Sequence, residues 1–166
     1  MNNILIGNII SLLGSSLMIL AGIVKRKNTI VKMQCAQFSL MAAAQMVLGG
    51  FTGVIANIVS LVRNLFCLRF ELTLTWKLVF ISVQSVLSVI FNNHGAVGYL
   101  PLVAVVIFTW FLDTKSDMTF KLVLTITQAM WLVYDAVIKN YVGIAFDTAA
   151  LAADIIGIIR LRKEEP

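Results

Sequence analysis

Long apolar runs, separated by short polar segments, follow one another along almost the whole chain. A helix that crosses the hydrocarbon core of a bilayer needs roughly 20 predominantly apolar residues. By that criterion the pattern predicts seven membrane spans, with six as the alternative if the fourth and fifth boundaries are redrawn. The seven spans cover about residues 4–24, 31–48, 52–69, 74–91, 96–112, 119–137 and 142–160.

The composition favours a membrane protein over a soluble domain. Of the 166 residues, 60% are hydrophobic and only 13% are charged, whereas soluble domains carry about 25% charged residues. We therefore predict an all-α polytopic protein whose single membrane domain covers residues 1–166. Two isolated cysteines inside apolar runs predict neither a disulfide nor a metal site, and we expect no cofactor.

The distribution of basic residues predicts the orientation in the membrane. Lys25, Arg26 and Lys27 follow the first apolar run directly, and most other basic residues lie at turns on the same side. Cytoplasmic loops are enriched in lysine and arginine, so we expect the N-terminus outside and the C-terminus in the cytoplasm. The net charge of +5 comes from residues at the ends of apolar runs, which argues against a nucleic-acid partner.

An internal repeat is indicated when the chain is shifted by 90 residues. The shift overlays the first three predicted helices on the last three, and one helix separates the two triplets. Both triplets then enter the membrane in the same direction, which is a parallel repeat of 3+1+3 helices. The repeats cover residues 1–70 and 95–166, with a linker helix in 71–94. The aligned pairs include Gly53 with Gly143, Asn57 with Asp147 and Asn64 with Asp154.

Polar residues within the predicted spans are the candidates for a binding site. Asn57 and Asn64 are seven residues apart, as are Asp147 and Asp154, so each pair lies on one helix face. We predict that these four side chains line one central cavity, because a charge in the bilayer centre costs at least ~2.5 kcal/mol and is seldom kept for packing alone. In the alternative, Arg63 pairs with Asp147 or Asp154, and the asparagines bond between helices.

Residues on the sixth predicted span leave a further choice open. Trp131 is a candidate for contacting a solute, although it also fits an aromatic belt at the membrane interface. For Asp135 we favour an i,i+4 ion pair with Lys139.

Three positions outside these sets carry structural expectations. Pro101 is expected to bend the fifth helix or to mark a hinge in it. His94 is expected to be a solvated turn residue, and Lys77 to extend its ammonium group to the lipid headgroups.

Three stretches of the sequence resemble the YgjV-type family of bacterial inner-membrane proteins, itself similar to the SWEET and PQ-loop transporters. The stretches are GVIANIVSLVRNLFCLRF at 53–70, TWFLDTKSDMTFKLVLTITQAMWLVYDAVIKN at 109–140 and DIIGIIRLRK at 154–163. The resemblance implies a location in the bacterial inner membrane and a transporter-like fold. In SWEET-type proteins an asparagine from the third helix of each triplet contacts the solute, and Asn57 or Asn64 with Asp147 or Asp154 match those positions. Aspartate in place of the second asparagine favours a cationic solute or proton coupling over a neutral sugar.

The leading functional hypothesis is a transporter of a small polar solute that works by alternating access, as a monomer or a homo-oligomer. The alternative is a membrane accessory protein whose polar residues serve only for helix packing. Enzymatic motifs are lacking in the sequence, and Asp147 and Asp154 stand ~10 Å apart along one helix, too far for an aspartyl dyad. The predicted solute-binding residues are Asn57, Asn64, Asp147, Asp154, Arg63 and Trp131.

Overall fold

A computed structural model describes the backbone of residues 2–23, 27–114 and 116–164. Within these ranges, the side chains of 19–23, 27–30, 117, 120–121, 153–154, 156–157 and 160–164 are outside the described part. The described residues form seven α-helices and no strand, which confirms the predicted all-α class. The helices are α1 (Asn2–Ile23), α2 (Lys27–Leu48), α3 (Phe51–Cys67), α4 (Leu74–Phe91), α5 (Leu100–Phe111), α6 (Asp117–Val137) and α7 (Tyr141–Glu164).

The exterior of the bundle is apolar and much of its interior is polar. Many leucine, isoleucine and valine side chains are exposed, such as Leu5, Val89 and Ile90. Serine, threonine, asparagine and glutamine side chains fill many of the buried positions. A soluble protein has the reverse distribution, whereas a bundle surrounded by lipid keeps its polar groups inside.

One described helix has both the length and the apolar composition to cross a membrane alone. This helix is α4, with 18 residues, a mean hydropathy of 1.7 and only 22% of its residues buried. The other apolar stretches within the described residues are shorter. They are Asn2–Met18, Phe51–Cys67, Val97–Phe111, Leu122–Val137 and Tyr141–Ala152.

The helices pack in two triplets that meet along two seams. In the first triplet α2 packs against α1 and α3, and in the second α6 packs against α5 and α7. Helix α1 meets α7 at one seam, and α3 meets α5 at the other. Helix α4 lies outside this ring, against α3 and α5.

The α2–α3 and α6–α7 turns adopt the same conformation at positions 90 apart. Gly49 and Lys139 both have positive φ, of 79° and 61°. In both turns the backbone amide of the next residue donates to a carbonyl five residues earlier. The Gly50 amide donates to the Gln45 carbonyl at 2.8 Å, and the Asn140 amide donates to the Asp135 carbonyl at 2.9 Å. This is the Schellman ending of a helix. These two turns are separated by the same 90 residues as the pairs aligned in the sequence.

Pro101 lies at the N-terminal end of α5 and does not bend the helix. A 3₁₀ turn at Val97–Tyr99 precedes the helix, and Pro101 occupies its first turn. The missing N–H costs nothing there, since the first amides of a helix have no intrahelical acceptor. The expected mid-helix bend is therefore wrong.

Lys77 on α4 is tied to the end of α5 and does not reach outward to headgroups as expected. Its ammonium group forms an ion pair with Asp113 and donates to the Trp110 carbonyl at 3.0 Å. The Lys77 side chain is 9% exposed and that of Asp113 is 62% exposed. The hydrogen bond from Lys77 lowers the pKa of the Asp113 carboxyl below its ordinary value of 3.8.

The Gly53→Ala substitution should destabilise the protein. A Cβ at this position would lie 2.7 Å from the Tyr134 ring and collide with the Gln45 side chain. We expect a loss of about 1–3 kcal/mol, measured as a lower thermal midpoint in detergent. Gly14→Ala is the matched control, because its nearest neighbour is the flexible Met41 side chain at 3.1 Å. Equal losses in the two variants would contradict the close packing at Gly53.

The Lys77–Asp113 pair should make part of the stability depend on acid. Because Lys77 lowers the pKa of Asp113, the contribution is complete above pH 3.8 and is lost as the pH falls through the lower folded value. Exposure of Asp113 limits the effect to about 0.2–1 kcal/mol. Asp113→Asn should lower the thermal midpoint at neutral pH and shrink the decrease on acidification. Glu71→Gln, which removes a nearby exposed acid, should preserve the wild-type decrease.

Candidate functional site

A buried polar cluster lies where α2, α3, α6 and α7 meet. We call it the central cluster. Most of its side chains are at most 8% exposed, and Gln128 is partly buried. Its members are Gln45 on α2, Asn57 on α3, Gln128 and Asp135 on α6, Asn140 in the α6–α7 turn and Asp147 on α7.

Asn57 and Gln45 form the half of the cluster that belongs to the first triplet. The Asn57 amide nitrogen donates to Gln45 Oε1 at 2.8 Å and to the Gly53 carbonyl at 2.9 Å. Gln45 also lies beside Asp135. Neither Gln45 Nε2 nor Asp135 Oδ1 makes a hydrogen bond of normal geometry to another described group. The two triplets thus face each other here through an unused donor and an unused acceptor.

Asp135 faces the bundle interior and is only 1% exposed. Its Oδ2 accepts from Asn140 Nδ2 at 2.9 Å, and Asn140 Oδ1 in turn accepts from the Gly143 amide at 3.0 Å. The expected Asp135–Lys139 pair is wrong. Helix α6 ends at Val137 and Lys139 has a positive φ, so the i,i+4 geometry of a helix no longer applies.

Asp147 stands close enough to Asp135 for their charges to interact. Its Oδ1 accepts from Gln128 Nε2 at 2.5 Å. Its Oδ2 is buried and has no hydrogen-bond partner among the described residues. The second triplet therefore contributes two neighbouring carboxyl groups, each with one unsatisfied oxygen.

Tyr134 connects α6 to the start of α3 beside the cluster. Its hydroxyl oxygen accepts from the Gly53 amide at 3.0 Å and from Thr52 Oγ1 at 3.3 Å. Trp131 packs edge-on against the Tyr134 ring, with centroids 5.9 Å apart. The structure thus places Trp131 next to Tyr134, at the side of the central cluster.

Arg63 and Asn64 form a separate polar layer two helical turns from Asn57. Arg63 is 1% exposed and donates from Nη1 to Thr109 Oγ1 at 2.8 Å. Its Nε and Nη2 donate to the Asn64 amide oxygen at 3.3 and 3.2 Å. Asn64 donates to Gln34 Oε1 at 3.0 Å, and the Arg63 guanidinium lies over the Phe108 ring at 5.2 Å.

The predicted four-residue cavity is therefore only partly formed. Asn57 and Asp147 share the central cluster, but Asn64 belongs to the Arg63 layer because a seven-residue step separates the two along the helix by ~10 Å. The suggested Arg63–Asp147 pair is not formed, since Asp147 bonds to Gln128. The Asp154 side chain lies outside the described residues.

Sequence reasoning missed Gln45, Asp135 and Gln128 as members of the cluster. For Gln45 and Asp135 a signal was available, because they stand 90 positions apart like Asn57 and Asp147. The aligned glycines Gly53 and Gly143 mark the same place. A Cβ on Gly53 would meet Gln45, and one on Gly143 would meet Asp135.

Two sets of hydrogen bonds, which we call clasps, hold the α2–α3 and α6–α7 turns at one end of the bundle. In the first clasp, Asn93 Nδ2 donates to the Gly49 carbonyl at 2.6 Å, and His94 Nε2 lies 3.2 Å from the same oxygen. The His94 ring also meets the Tyr134 ring edge-on, at 6.2 Å. His94 thus lies in a loop, as predicted, and its side chain is half-buried because the neighbouring α2–α3 turn covers one side of the ring.

The second clasp holds the equivalent turn of the second triplet. Asn8 on α1 donates from Nδ2 to the Lys139 carbonyl at 3.2 Å. Its Oδ1 accepts from the Val142 amide at 2.9 Å. Gly49 and Lys139 are the positive-φ residues of the two turns. In each turn the carbonyl of this residue accepts a hydrogen bond from a side chain of another part of the chain.

Two surface pockets lie away from the central cluster. One, of about 520 Å³, is lined by the N-terminal part of α1 and by Tyr141 and Val142. The other, of about 330 Å³, lies on α4 beside Ser82 and Val86. Neither is lined by a cluster residue, and the cluster itself is nearly inaccessible. The described conformation is therefore closed around the acids.

Comparison with known proteins identifies a family that covers nearly the whole chain. The family model Imp-YgjV, described as a bacterial inner membrane protein, matches residues 5–165. No curated protein and no solved structure matches the chain, so the similarity to SWEET and PQ-loop transporters stays a prediction. The match fits the apolar exterior and polar interior of the seven helices. The chain therefore belongs to the Imp-YgjV family of bacterial inner membrane proteins.

Proposed function

We propose that this protein transports a small polar solute across the bacterial inner membrane by alternating access. In this proposal all seven helices span the bilayer, with the N-terminus outside and the C-terminus in the cytoplasm. The solute binds at the central cluster, between the triplets α1–α3 and α5–α7. The protein moves a solute and catalyses no reaction, and one chain or a homo-oligomer can provide the path.

The contact between Gln45 and Asp135 is the observation that carries the proposal. These residues occupy equivalent positions 90 apart and lie beside each other. When two repeats are related by a two-fold axis, a residue meets its own equivalent only near that axis. The contact thus supports an axis that passes through the central cluster, where transporters built from repeats bind their solutes.

The packing of the triplets supports rocking of one against the other. The two-fold relation would place α1 on α5 and α3 on α7, and it would therefore place the α1–α7 seam on the α3–α5 seam. Within each triplet the middle helix packs against both of its neighbours. Two compact bundles joined at two equivalent seams are suited to moving as bodies around a central site.

The chemistry of the cluster favours a solute with a positive charge. Asp135 and Asp147 supply carboxylate oxygens, and Asn57, Gln45 and Gln128 supply amides. Carboxylates bind ammonium groups by charge-assisted hydrogen bonds, and the amides can satisfy the neutral polar groups of a desolvated molecule.

Residues beyond the cluster have proposed roles along the path. Arg63 and Asn64 mark a second layer toward the cytoplasm, where Arg63 binds an anionic group of the solute or neutralises Asp154. Trp131 supplies an aromatic wall beside Tyr134. These assignments extend the contacts that the cluster residues make.

Pure helix packing is the second candidate function, that of an accessory protein without transport. The hydrogen bonding of Arg63 to Thr109 and Asn64 favours it, as does the closed cluster. A packing role explains the Arg63 layer. It does not explain why Asp147 Oδ2 and Asp135 Oδ1 are left unsatisfied, since an unpaired buried acid destabilises a bundle.

The solute-binding role is tested by screening the purified protein for ligand-induced thermal stabilisation. The probes are polyamines, quaternary amines and basic amino acids, with neutral sugars for comparison. We expect a cationic probe to stabilise the protein and to enter proteoliposomes that contain it. Asp147→Asn should reduce that uptake about tenfold or more, because a charge-assisted hydrogen bond contributes about 1.5–3 kcal/mol.

Asp113→Asn is the control for the loss of one acid, because Asp113 lies outside the cluster in the α5–α6 connection. Its uptake should equal that of the wild type. If Asp147→Asn, Asp154→Asn and Asn57→Ala all transport normally, the proposed site is wrong. If no probe binds, the accessory role is favoured.

The two clasps should govern access to the cluster from the outer side. In a background with Cys35→Ala and Cys67→Ala, Thr52→Cys would report on access near Tyr134 and Gly53. Combining Asn8→Ala with Asn93→Ala removes hydrogen bonds worth about 0.5–1.5 kcal/mol each. A membrane-impermeant thiol reagent should then label Cys at position 52 about tenfold faster.

Asn92→Ala is the matched control for this experiment. The Asn92 amide bonds to the Gly95 carbonyl within its own loop, so its loss should leave the labelling rate unchanged. Equal rates in the clasp variant and the control would show that the clasps do not hold the outer side closed.

A further inference from the structure

The acid pair in the central cluster has an incomplete set of partners. Asp147 Oδ2 is buried and has no hydrogen-bond partner among the described residues. Asp135 Oδ1 is also buried and makes no hydrogen bond of normal geometry to a described group, although Gln45 lies beside this acid. Gln45 Nε2, a donor on a fully buried side chain, is also without one. The groups come from separate helices, α2, α6 and α7, and Gln45 and Asp147 both lie beside Asp135.

The described side chains offer the pair no positive counter-charge. The ion pair formed among them, between Lys77 and Asp113, joins α4 to the end of α5. Arg63 binds Thr109 and Asn64 in the other layer. Two carboxylates that share a buried site cannot both ionise without a large electrostatic cost. A positively charged species must therefore accompany the pair.

We propose that Asp135 and Asp147 together hold one exchangeable proton, and that its release and rebinding drive solute transport. The second clause rests on the proposed function. A proton forms an O–H bond on a carboxylate oxygen of one acid, and the other acid then carries the single negative charge of the pair. When the site opens, that bond breaks and the proton passes to water, so no redox partner is needed.

A proton fits the site better than a metal ion. Calcium takes six to eight oxygen ligands, and magnesium requires a near-octahedral set. Here the other carboxylate oxygens already accept from Asn140 and Gln128, and Gln45 Oε1 accepts from Asn57. The two unsatisfied oxygens are too few for such an ion, but they suffice for one shared proton.

Other charged or titratable groups near the pair cannot take over this role. Tyr134 on α6 is bound to Gly53 and Thr52. His94 and Lys139 lie at the outer turns, and Arg63 on α3 lies in the other layer. The contact from α2 to the cluster comes from the neutral amide of Gln45. The contact from α1 to the α6–α7 turn comes from the neutral amide of Asn8.

Infrared spectroscopy of the purified protein in detergent tests the proposal without a solute. A protonated carboxylic acid has a carbonyl stretching band that a carboxylate lacks, and this band shifts in D₂O when the proton exchanges. We expect such a band at neutral pH. Asp135→Asn and Asp147→Asn should each move or abolish it, because each acid either holds the proton or, through its negative charge, keeps the proton on the other acid. Asp113→Asn should leave it unchanged.

Several results would overturn the proposal. They are a wild-type spectrum without the band, a band that only one of the two variants alters, and a band that disappears when sodium or potassium replaces choline. The last result would identify a metal cation as the occupant. The wild-type spectra in H₂O and D₂O need no variant, so the absence of the band would overturn the proposal even if the variants fail to fold.

The experiment also separates this proposal from the proposed function. Detection of the shared proton in a protein that moves none of the probes would refute proton-driven transport and leave the proton site. Uptake of a probe by a protein whose two acids are both ionised would refute the proton site and leave transport.

Discussion

The burial of polar side chains inside a bundle with an apolar exterior is the constraint on which the structure depends. Lipid offers no hydrogen bonds, so each polar group that faces the interior needs a partner from another helix. Asn57 on α3 finds Gln45 on α2, Arg63 on α3 finds Thr109 on α5, and Asn64 on α3 finds Gln34 on α2. These bonds fix which helices are neighbours, because apolar faces alone distinguish poorly between one neighbour and another.

The same constraint gives meaning to the atoms that remain unsatisfied. In the Arg63 layer, the guanidinium is surrounded by acceptors and an aromatic ring. In the central cluster, two carboxylate oxygens and one amide nitrogen are left over. The two layers thus differ in their hydrogen bonding, and this difference is the reason why our proposal places ligand binding at the acid pair.

Glycine makes the close approach at the cluster possible in both triplets. Gly53 leaves room for Gln45 and for the Tyr134 ring, and Gly143 leaves room for Asp135. Gln45 and Asp135 each accept, through the backbone carbonyl, the hydrogen bond that closes the Schellman turn before these glycines. Gly49 adopts its positive φ without strain, whereas Lys139 does so at a cost of about 1–2 kcal/mol and has its carbonyl held by Asn8.

The sequence by itself predicted the approximate bounds of the helices and narrowed their number to seven, with six as the alternative, because the thickness of the bilayer sets the length of an apolar run. It also indicated the 90-residue spacing and drew attention to Asn57, Asp147 and Arg63, since polar residues within apolar runs are conspicuous. Only the tertiary structure decided which of them meet. The sequence pattern favours an i,i+4 ion pair of Asp135 with Lys139, but Asp135 is buried beside Asp147. Asn57 and Asn64 lie on one face but bind different partners, because contacts across helices depend on depth and on the neighbouring helix, and a one-dimensional pattern contains neither.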